Sequence, residues 1–474
     1  MIVHKFGGTS VGDAQRFTEV ADILLTHHNA AGNPVAAQTV GVVSAMSGVT
    51  NQLIAGARAA AEGRDRVYRE IKAGLLTRHL EIVETLLTRS RERLDVGGLV
   101  EDQMHELERF YRSIAMLGEL TARGGDAVAS FGERLSSSIL AAVLRERGVR
   151  AQAVSATDLI VTDDHFGAAV PLMEQTRERL QQKIMPLVER EVLPIVTGFI
   201  GATEQGVTTT LGRGGSDLSA AIIGVCLDAD EVWIWSDVDG ILTADPNLVP
   251  SARTLTELSY TEAADLAYFG AEVLHPKTIQ PVIERGIPLR IVNSFNPKHR
   301  GTLIVESPSS DRELLPAIIS TTGLSLIAIG SQDDSWALQM AARALQKLSE
   351  TGVDVLMFSQ SFSEHSLNLI VHQQDQAHCL KILEREFDGG KPGSAYNLGT
   401  REQVATISVV GVPDWNGDGI VSHAFAALGK HGTRVIAVAQ AATEYSVSFC
   451  IPEEQVHDTV LFLHRELGLE SESG

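Results

Sequence analysis

The C-terminal third of this chain is written twice. ALQKLSETGVDVLMFSQSFSEHSLNLIV, starting at Ala344, aligns without a gap on AFAALGKHGTRVIAVAQAATEYSVSFCI, starting at Ala424. The offset is 80 residues throughout (424 − 344), pairing Leu348 with Leu428, Gly352 with Gly432, Val355 with Val435, Gln360 with Gln440, Glu364 with Glu444 and Ser366 with Ser446. The register persists to Leu383-Glu384-Arg385-Glu386 against Leu463-His464-Arg465-Glu466. Such a repeat requires two copies of one supersecondary unit. Each reads helix, glycine turn, strand, polar turn, strand, helix, with an apolar strand upstream at Leu326–Ile329 and Ile407–Val410. Two small α+β modules in tandem are expected, over 315–395 and 400–474.

The preceding 300 residues follow a different rule. Short β-rich runs at Ile2–Phe6, Thr39–Ser44, Gln152–Ser155, Leu193–Phe199 and Glu231–Trp235 alternate with helical patterns. That alternation predicts an α/β domain, a mostly parallel sheet sandwiched by helices, over residues 1–305. Phe17, Val20, Ala21 and Leu24 keep i, i+3, i+4, i+7 spacing, so an amphipathic helix follows the opening strand. Residues 66–120 lack proline and read as long charged helices inserted over one end of the sheet. The pattern breaks at NSFNPKHRGT, Asn293–Thr302, which marks a candidate domain boundary.

Charge limits the partners. Lys plus Arg number 39 against 60 Asp plus Glu, so the net charge is 39 − 60 = −21. An excess of that sign argues against nucleic acid or an anionic membrane as the main partner, although a local basic pocket still admits an anionic substrate. Cys226, Cys379 and Cys450 lie far apart in apolar contexts without metal-ligand spacing, and read as buried thiols. No run of 18 apolar residues and no charged-then-apolar leader appears, so the expected location is cytoplasmic.

Three clusters carry chemistry. Lys5-Phe6-Gly7-Gly8-Thr9-Ser10 ends a strand with a lysine beside a glycine pair, a unit whose backbone N–H groups suit an anion. Thr210-Leu211-Gly212-Arg213-Gly214-Gly215-Ser216-Asp217 joins a strand to a small-residue helix. Its glycines permit close backbone approach, Arg213 offers a planar fork for carboxylate or phosphate, and Asp217 suits a lysine or a metal-bound phosphate. Ser236-Asp237-Val238-Asp239-Gly240, followed by Asp245-Pro246, places acidic and glycine residues at a strand end, where ribose or base contacts form at the open edge of an α/β sheet.

Together with VVSAMSGVTN, GER at Gly132–Arg134 and FGAEVLHPKT, these clusters occur in an order that resembles the amino-acid-kinase fold, and specifically the aspartate kinases. The two C-terminal modules resemble ACT domains, and no further domain follows, which matches the monofunctional form. The resemblance implies transfer of the ATP γ-phosphoryl to the β-carboxylate of L-aspartate, giving aspartyl 4-phosphate, the first step toward lysine, threonine and methionine. It implies Lys5 and Asp217 as catalytic, with Asp217 orienting Lys5. Substrate contacts would come from Glu133 on the ammonium, Arg213 on the α-carboxylate, and the hydroxyls of Ser44, Thr50 and Ser216. Nucleotide contacts would come from Gly7, Gly8, Ser236, Asp237, Asp239, Gly240, Asp245 and Lys277. ATP with Mg²⁺ is implied, with no dedicated protein cage for the metal. So are an amino-acid effector, lysine and/or threonine, at Gln360 and Gln440, and a homodimer paired through the ACT domains.

Three positions depart from the family pattern. Glu272 stands where a lysine is usual, Asn247 where an arginine is common and Leu242 where a tyrosine is frequent. A glutamate in a phosphate-facing place reverses a local charge, and Lys277 is the cation placed to compensate. The first repeat carries Ser331–Trp336 where a glycine-containing effector loop is usual, while Asn416-Gly417-Asp418-Gly419 keeps its glycines. Two alternatives follow: a catalytically weakened ACT-based amino-acid sensor, and another acyl-phosphate-forming kinase acting on glutamate or N-acetylglutamate.

Overall fold

A computed structural model describes residues 1–28, 38–268, 276–331, 337–361, 365–387, 396–411, 419–440 and 445–470. They divide into two compact units. The first holds Met1–Ile241, Thr256–Ala263 and the described part of Glu272–Ser310; the second holds Leu242–Leu255 and the described parts of Ala264–Ala271 and Asp311–Gly474.

The strands of the first unit are β1 (Ile2–Phe6), β2 (Thr39–Val43), β3 (Ala151–Val154), β4 (Val161–Thr162), β5 (Leu193–Thr197), β6 (Ile200–Thr203), β7 (Thr208–Thr210), β8 (Glu231–Ser236), β9 (Glu257–Ser259), β10 (Leu289–Asn293) and β11 (Thr302–Val305). Eight form one sheet in the order β3-β5-β2-β1-β8-β10-β11-β9, and the first six run parallel. Parallel strands covered on both faces read as unbroken apolar runs, and β2 (TVGVV) and β5 (LPIVT) are buried at every position. A smaller sheet, β4-β6-β7, lies at the entry to the Gly212–Gly215 turn.

The charged stretch over 66–120 forms two long helices, Asp65–Leu86 and Ser90–Leu117, packed against the helix Val49–Ala61. Tyr111 closes that bundle, its buried hydroxyl donating to the Leu53 carbonyl at 2.9 Å. Arg78 reaches out of it, donating to the carbonyls of Ser47 and Gly12 at 3.0 and 2.9 Å. The insertion thereby braces two of the loops at the strand ends. Ala122–Glu146 is long and apolar enough by composition to cross a membrane, yet its apolar window is 83% buried within the fold. The sequence break at Asn293–Thr302 is a hairpin turn inside the first unit, since β10 and β11 pair antiparallel across it. Its polar residues Asn296, Lys298 and Arg300 are exposed, as expected of a surface turn.

In the second unit the repeat appears as β13 (Val355–Ser361) and β14 (Ser366–His372) in one copy, β16 (Ala437–Gln440) and β17 (Ser446–Pro452) in the other. Gln360 pairs with Leu367 and Gln440 with Val447, so the 80-residue register holds in three dimensions. The long strands β12 (Ala317–Ser331) and β15 (Tyr396–Val410) link the copies in a sheet ordered β13-β14-β12-β15-β17-β16. They are shared. Ile318 at the start of β12 packs in the core of the second copy, with Ile407, Val409 and Phe449. Tyr396 and Leu398 at the start of β15 pack against the core of the first. The modules are therefore not simply consecutive in sequence, because each borrows half a strand from the other. Cys226, Cys379 and Cys450 are free and buried.

Candidate active site

Parallel α/β sheets present their ligand crevice at the carboxyl ends of the strands, and the sequence-predicted residues of the first unit gather there. Lys5 is the penultimate residue of the central strand β1, with Gly7 and Gly8 directly after it. A 3₁₀ turn, Thr9–Val11, intervenes before the predicted amphipathic helix begins at Ala14, so Gly7 and Gly8 cap this turn and not the helix itself. Lys5 is largely buried, and its Nζ lies 2.5 Å from Asp217 Oδ1 in the first turn of the helix Gly215–Cys226. A buried ion pair adds little net stability after desolvation. Its structural effect is to fix where the ammonium points.

Ser44 follows β2, its N–H donating to the Phe6 carbonyl at 3.1 Å, and Ser47 donates from its N–H to the Gly8 carbonyl at 3.1 Å. Thr50 is the second residue of the next helix, Val49–Ala61. Against this loop sits the N-terminus of the helix Phe131–Glu146, at a distance only glycine permits: a Cβ on Gly132 would fall 2.5 Å from that of Ala45. The next residue, Glu133, is 3% exposed. Its Oε1 accepts the Ala45 N–H at 3.1 Å, while Oε2 is buried with no partner among the described residues. Burial pushes its carboxyl up to about 8, against a lesser downward pull from the Ala45 N–H. An unpartnered buried carboxylate oxygen is a costly feature unless a cationic or donor group completes it.

Ser216 packs where a Cβ on Gly198, just after β5, would touch it at 2.8 Å. Arg213 is exposed, its guanidinium unengaged by any described residue. Ser236, Asp237, Asp239 and Gly240 continue from β8, the neighbour of β1. Asp239 Oδ1 accepts from Asn293 Nδ2 and Asn296 Nδ2 at 2.9 and 3.1 Å. The Ser294 hydroxyl donates to the Ser236 carbonyl at 2.9 Å and meets the Ser10 hydroxyl at 2.8 Å. No sequence motif assigns Asn293, Ser294 and Asn296 to the site. The signal for them is their position, at the end of a strand adjacent to β8.

Asp245 belongs to the second unit, exposed, accepting from the Asn247 N–H and Nδ2 at 2.9 and 3.0 Å. Ala244 and Val249 beside it sit in the core of the second ACT-like copy. Leu242 and Asn247 share that unit; Glu272 is outside the described residues. Lys277 is on the helix Pro276–Arg285, its side chain outside the description. Gln360 lies in β13, its Nε2 buried with no partner among the described residues, and Gln440 ends β16, exposed. Residues 332–336 and 412–418 of the two effector-loop stretches are outside the described residues. Among the described residues no cluster of three or more His, Cys, Asp or Glu could hold a metal ion by itself.

This crevice brings together a lysine-bearing central strand, two glycines at its end and an acidic residue in the first turn of the helix Gly215–Cys226, an arrangement with the order of elements of an amino-acid-kinase domain. Residues 1–293 match the model of the amino acid kinase family, and 337–387 and 407–467 that of the ACT domain. The chain belongs to the amino acid kinase family. Over its full length it is similar to the aspartokinases. It is 34% identical to aspartokinase 1, chloroplastic, of Arabidopsis thaliana, across 98% of this chain and 79% of that one. The crystal structure of E. coli aspartokinase III in complex with aspartate and ADP, in the R-state, superposes with a TM-score of 0.81 at 28% identity, covering 99% and 100% of the two chains. The same enzyme in complex with lysine and aspartate, in the T-state, gives 0.79 at 28%, covering 98% and 99%.

Proposed function

We propose that this chain is an aspartate kinase, regulated by an amino acid through its ACT modules, that transfers the γ-phosphoryl group of ATP to the β-carboxylate of L-aspartate. The observation that carries the reading is the unpartnered, buried Oε2 of Glu133 at the same strand ends as the Lys5–Asp217 pair. A free amino acid brings one ammonium and, for aspartate, two carboxylates. Glu133 supplies the anion for the ammonium, and the unengaged Arg213 supplies a bidentate clamp for the α-carboxylate. Ser44, Thr50 and Ser216 add hydroxyl donors around the substrate.

In the reaction a β-carboxylate oxygen forms a bond to the γ-phosphorus while the bond from that phosphorus to the β,γ-bridging oxygen of ATP breaks, releasing ADP. No general base is required, because the nucleophile is already anionic. Catalysis is then positioning and charge neutralisation. Lys5, held by Asp217, places its ammonium against the phosphoryl group in flight, with the Gly7 and Gly8 amides beside it. Ser236, Asp237, Asp239 and Gly240 line the nucleotide side, and Asn293 and Asn296 fix Asp239. Asp237 and Asp239 would be the carboxylates to hold a nucleotide-borne Mg²⁺, which would neutralise phosphate charge.

The second unit supports effector control. Gln360, whose Nε2 has no partner among the described residues, and its repeat equivalent Gln440 are assigned to the effector, lysine and/or threonine, and the paired modules to a homodimer contact. The test is a hydroxylamine trap for acyl phosphate with ATP and Mg²⁺, run on aspartate and on glutamate, with lysine and threonine added in turn. Hydroxamate from aspartate, suppressed by one of the two effectors, is expected. Hydroxamate from glutamate alone overturns the substrate assignment, and none from either transfers the chain to the sensor reading.

A further inference from the structure

We propose that Asp126 is a positioning residue for substrate recognition: it clamps the turn that carries Arg213 to the neighbouring loop 163–170 and so fixes where the guanidinium meets the substrate's α-carboxylate. The inference rests on the reading of the site given above and adds a residue to it.

Asp126 lies on the short helix Ala122–Ala129, whose first turn is capped by Thr121 accepting the Gly124 N–H. It is 3% exposed, yet no lysine, arginine or histidine among the described residues pairs with it. Its partners are dipoles. Oδ1 accepts the Thr210 hydroxyl at 2.7 Å, and Oδ2 accepts the N–H groups of Thr210 and Gly167, both at 2.9 Å. A buried carboxylate without a cation is an expensive way to stabilise a fold. What it does provide is geometry, because three donors from two separate segments converge on one rigid group.

Those two segments matter. Thr210 ends β7, and Arg213 follows three residues later, between Gly212 and Gly214, whose φ values of 77° and 71° shape the turn. The loop 163–170 is tied to the same strand end, since Ala169 donates its N–H to the Thr210 carbonyl at 2.9 Å. Gly212 packs onto it so closely that a Cβ there would sit 3.1 Å from the Gly167 carbonyl oxygen. The helix bearing Asp126 is separated only by Ser130 from the helix that begins at Phe131 and carries Glu133. Asp126 therefore relates the Arg213 turn to the Glu133 helix, the two elements that recognise opposite ends of the amino acid.

The experiment compares Asp126→Asn and Thr210→Val with the unmodified full-length protein, in steady-state kinetics and in amide hydrogen exchange. Asp126→Asn is expected to raise the aspartate KM about 10- to 100-fold, leaving the ATP KM unchanged, and Thr210→Val to shift the aspartate KM in the same direction by less. In an Arg213→Ala background, Asp126→Asn is expected to add nothing further to the aspartate KM. Amides of residues 163–170 and 210–214 are expected to exchange faster in both variants, with β1 and β2 unaltered. If Asp126→Asn fails to fold, Thr210→Val, which deletes one donor only, carries the same comparison. A parallel rise of both KM values, additivity with Arg213→Ala, or unchanged exchange in the two loops overturns the proposal. Failure of the parent reading shows differently, as an unmodified protein that makes no acyl phosphate from aspartate whatever the loops do.

Discussion

Glu133→Gln separates substrate recognition from fold stability, because the structure predicts opposite effects on the two. Burial holds the Glu133 carboxyl at about 8, against an ordinary value of 4.5. Below about pH 4.5 the folded and unfolded chains both keep this proton, so the wild-type and Glu133→Gln proteins have matched stability. Between about 4.5 and 8 the unfolded chain loses the proton while the folded chain keeps it, and wild-type stability falls as pH rises. At pH 7 the span from 4.5 amounts to about 3 kcal/mol, and above pH 8 the full gap approaches about 5 kcal/mol. A glutamine side chain, the neutral isostere, has no such dependence. The variant is therefore expected to be more stable than wild type by up to about 3 kcal/mol at pH 7, with the difference vanishing toward pH 4.5. Urea unfolding of both proteins at several pH values measures it. Aspartate affinity moves the other way, since the ammonium loses its counter-charge. About nine in ten wild-type molecules carry the proton at pH 7, so aspartate binding should release close to one proton. Calorimetric titrations in two buffers of different ionisation enthalpy count it. A wild-type-minus-variant stability that is flat with pH, or binding without proton release, would refute the assignment of an empty, neutral Glu133 waiting for a cation.

Lys5→Met should cut kcat about 100- to 1,000-fold while leaving aspartate binding by calorimetry near wild type, because Lys5 acts on the phosphoryl group and not on the amino acid. Gly132→Ala places a Cβ 2.5 Å from that of Ala45. It should cost about 1–3 kcal/mol in urea unfolding and raise the aspartate KM by displacing Glu133. Ser294→Ala removes the hydroxyl's ties to Ser236 and Ser10 while keeping the backbone bond to Ser236, and should raise the ATP KM with the aspartate KM unchanged.

Local chemistry made much of this architecture readable. Strand and helix periodicity located β1, β2, β5 and β8 to within a residue or two, since buried parallel strands leave unbroken apolar runs. The repeat was legible because its register is rigid, down to the equivalent pairs Gln360–Leu367 and Gln440–Val447. Strand exchange was not. A 15-residue strand serving two cores carries the same apolar pattern as one serving a single core, so nothing in β12 or β15 marks the handover. Lys5, Glu133 and Asp217 stood out in the sequence because each sits inside a recognisable motif, although their contacts are long-range, as the 88 residues between Glu133 and Ala45 show. Asp126 and Asn293 stand in no such motif, and only the fold brings them to their partners Thr210 and Asp239, 84 and 54 residues away. Nor does the sequence show that the segment of Asp245, six residues beyond Asp239, packs within the second unit.

The central claim is that a phosphorus–oxygen bond forms to the side-chain carboxylate of aspartate. The most direct measurement is ³¹P NMR of the reaction with ATP, Mg²⁺ and aspartate labelled with ¹³C at C4. An acyl-phosphate resonance split by coupling to that carbon, appearing with ADP and absent from the Lys5→Met protein, is the predicted result. ADP formation with inorganic phosphate alone, or an acyl-phosphate signal unsplit by the label, would contradict it.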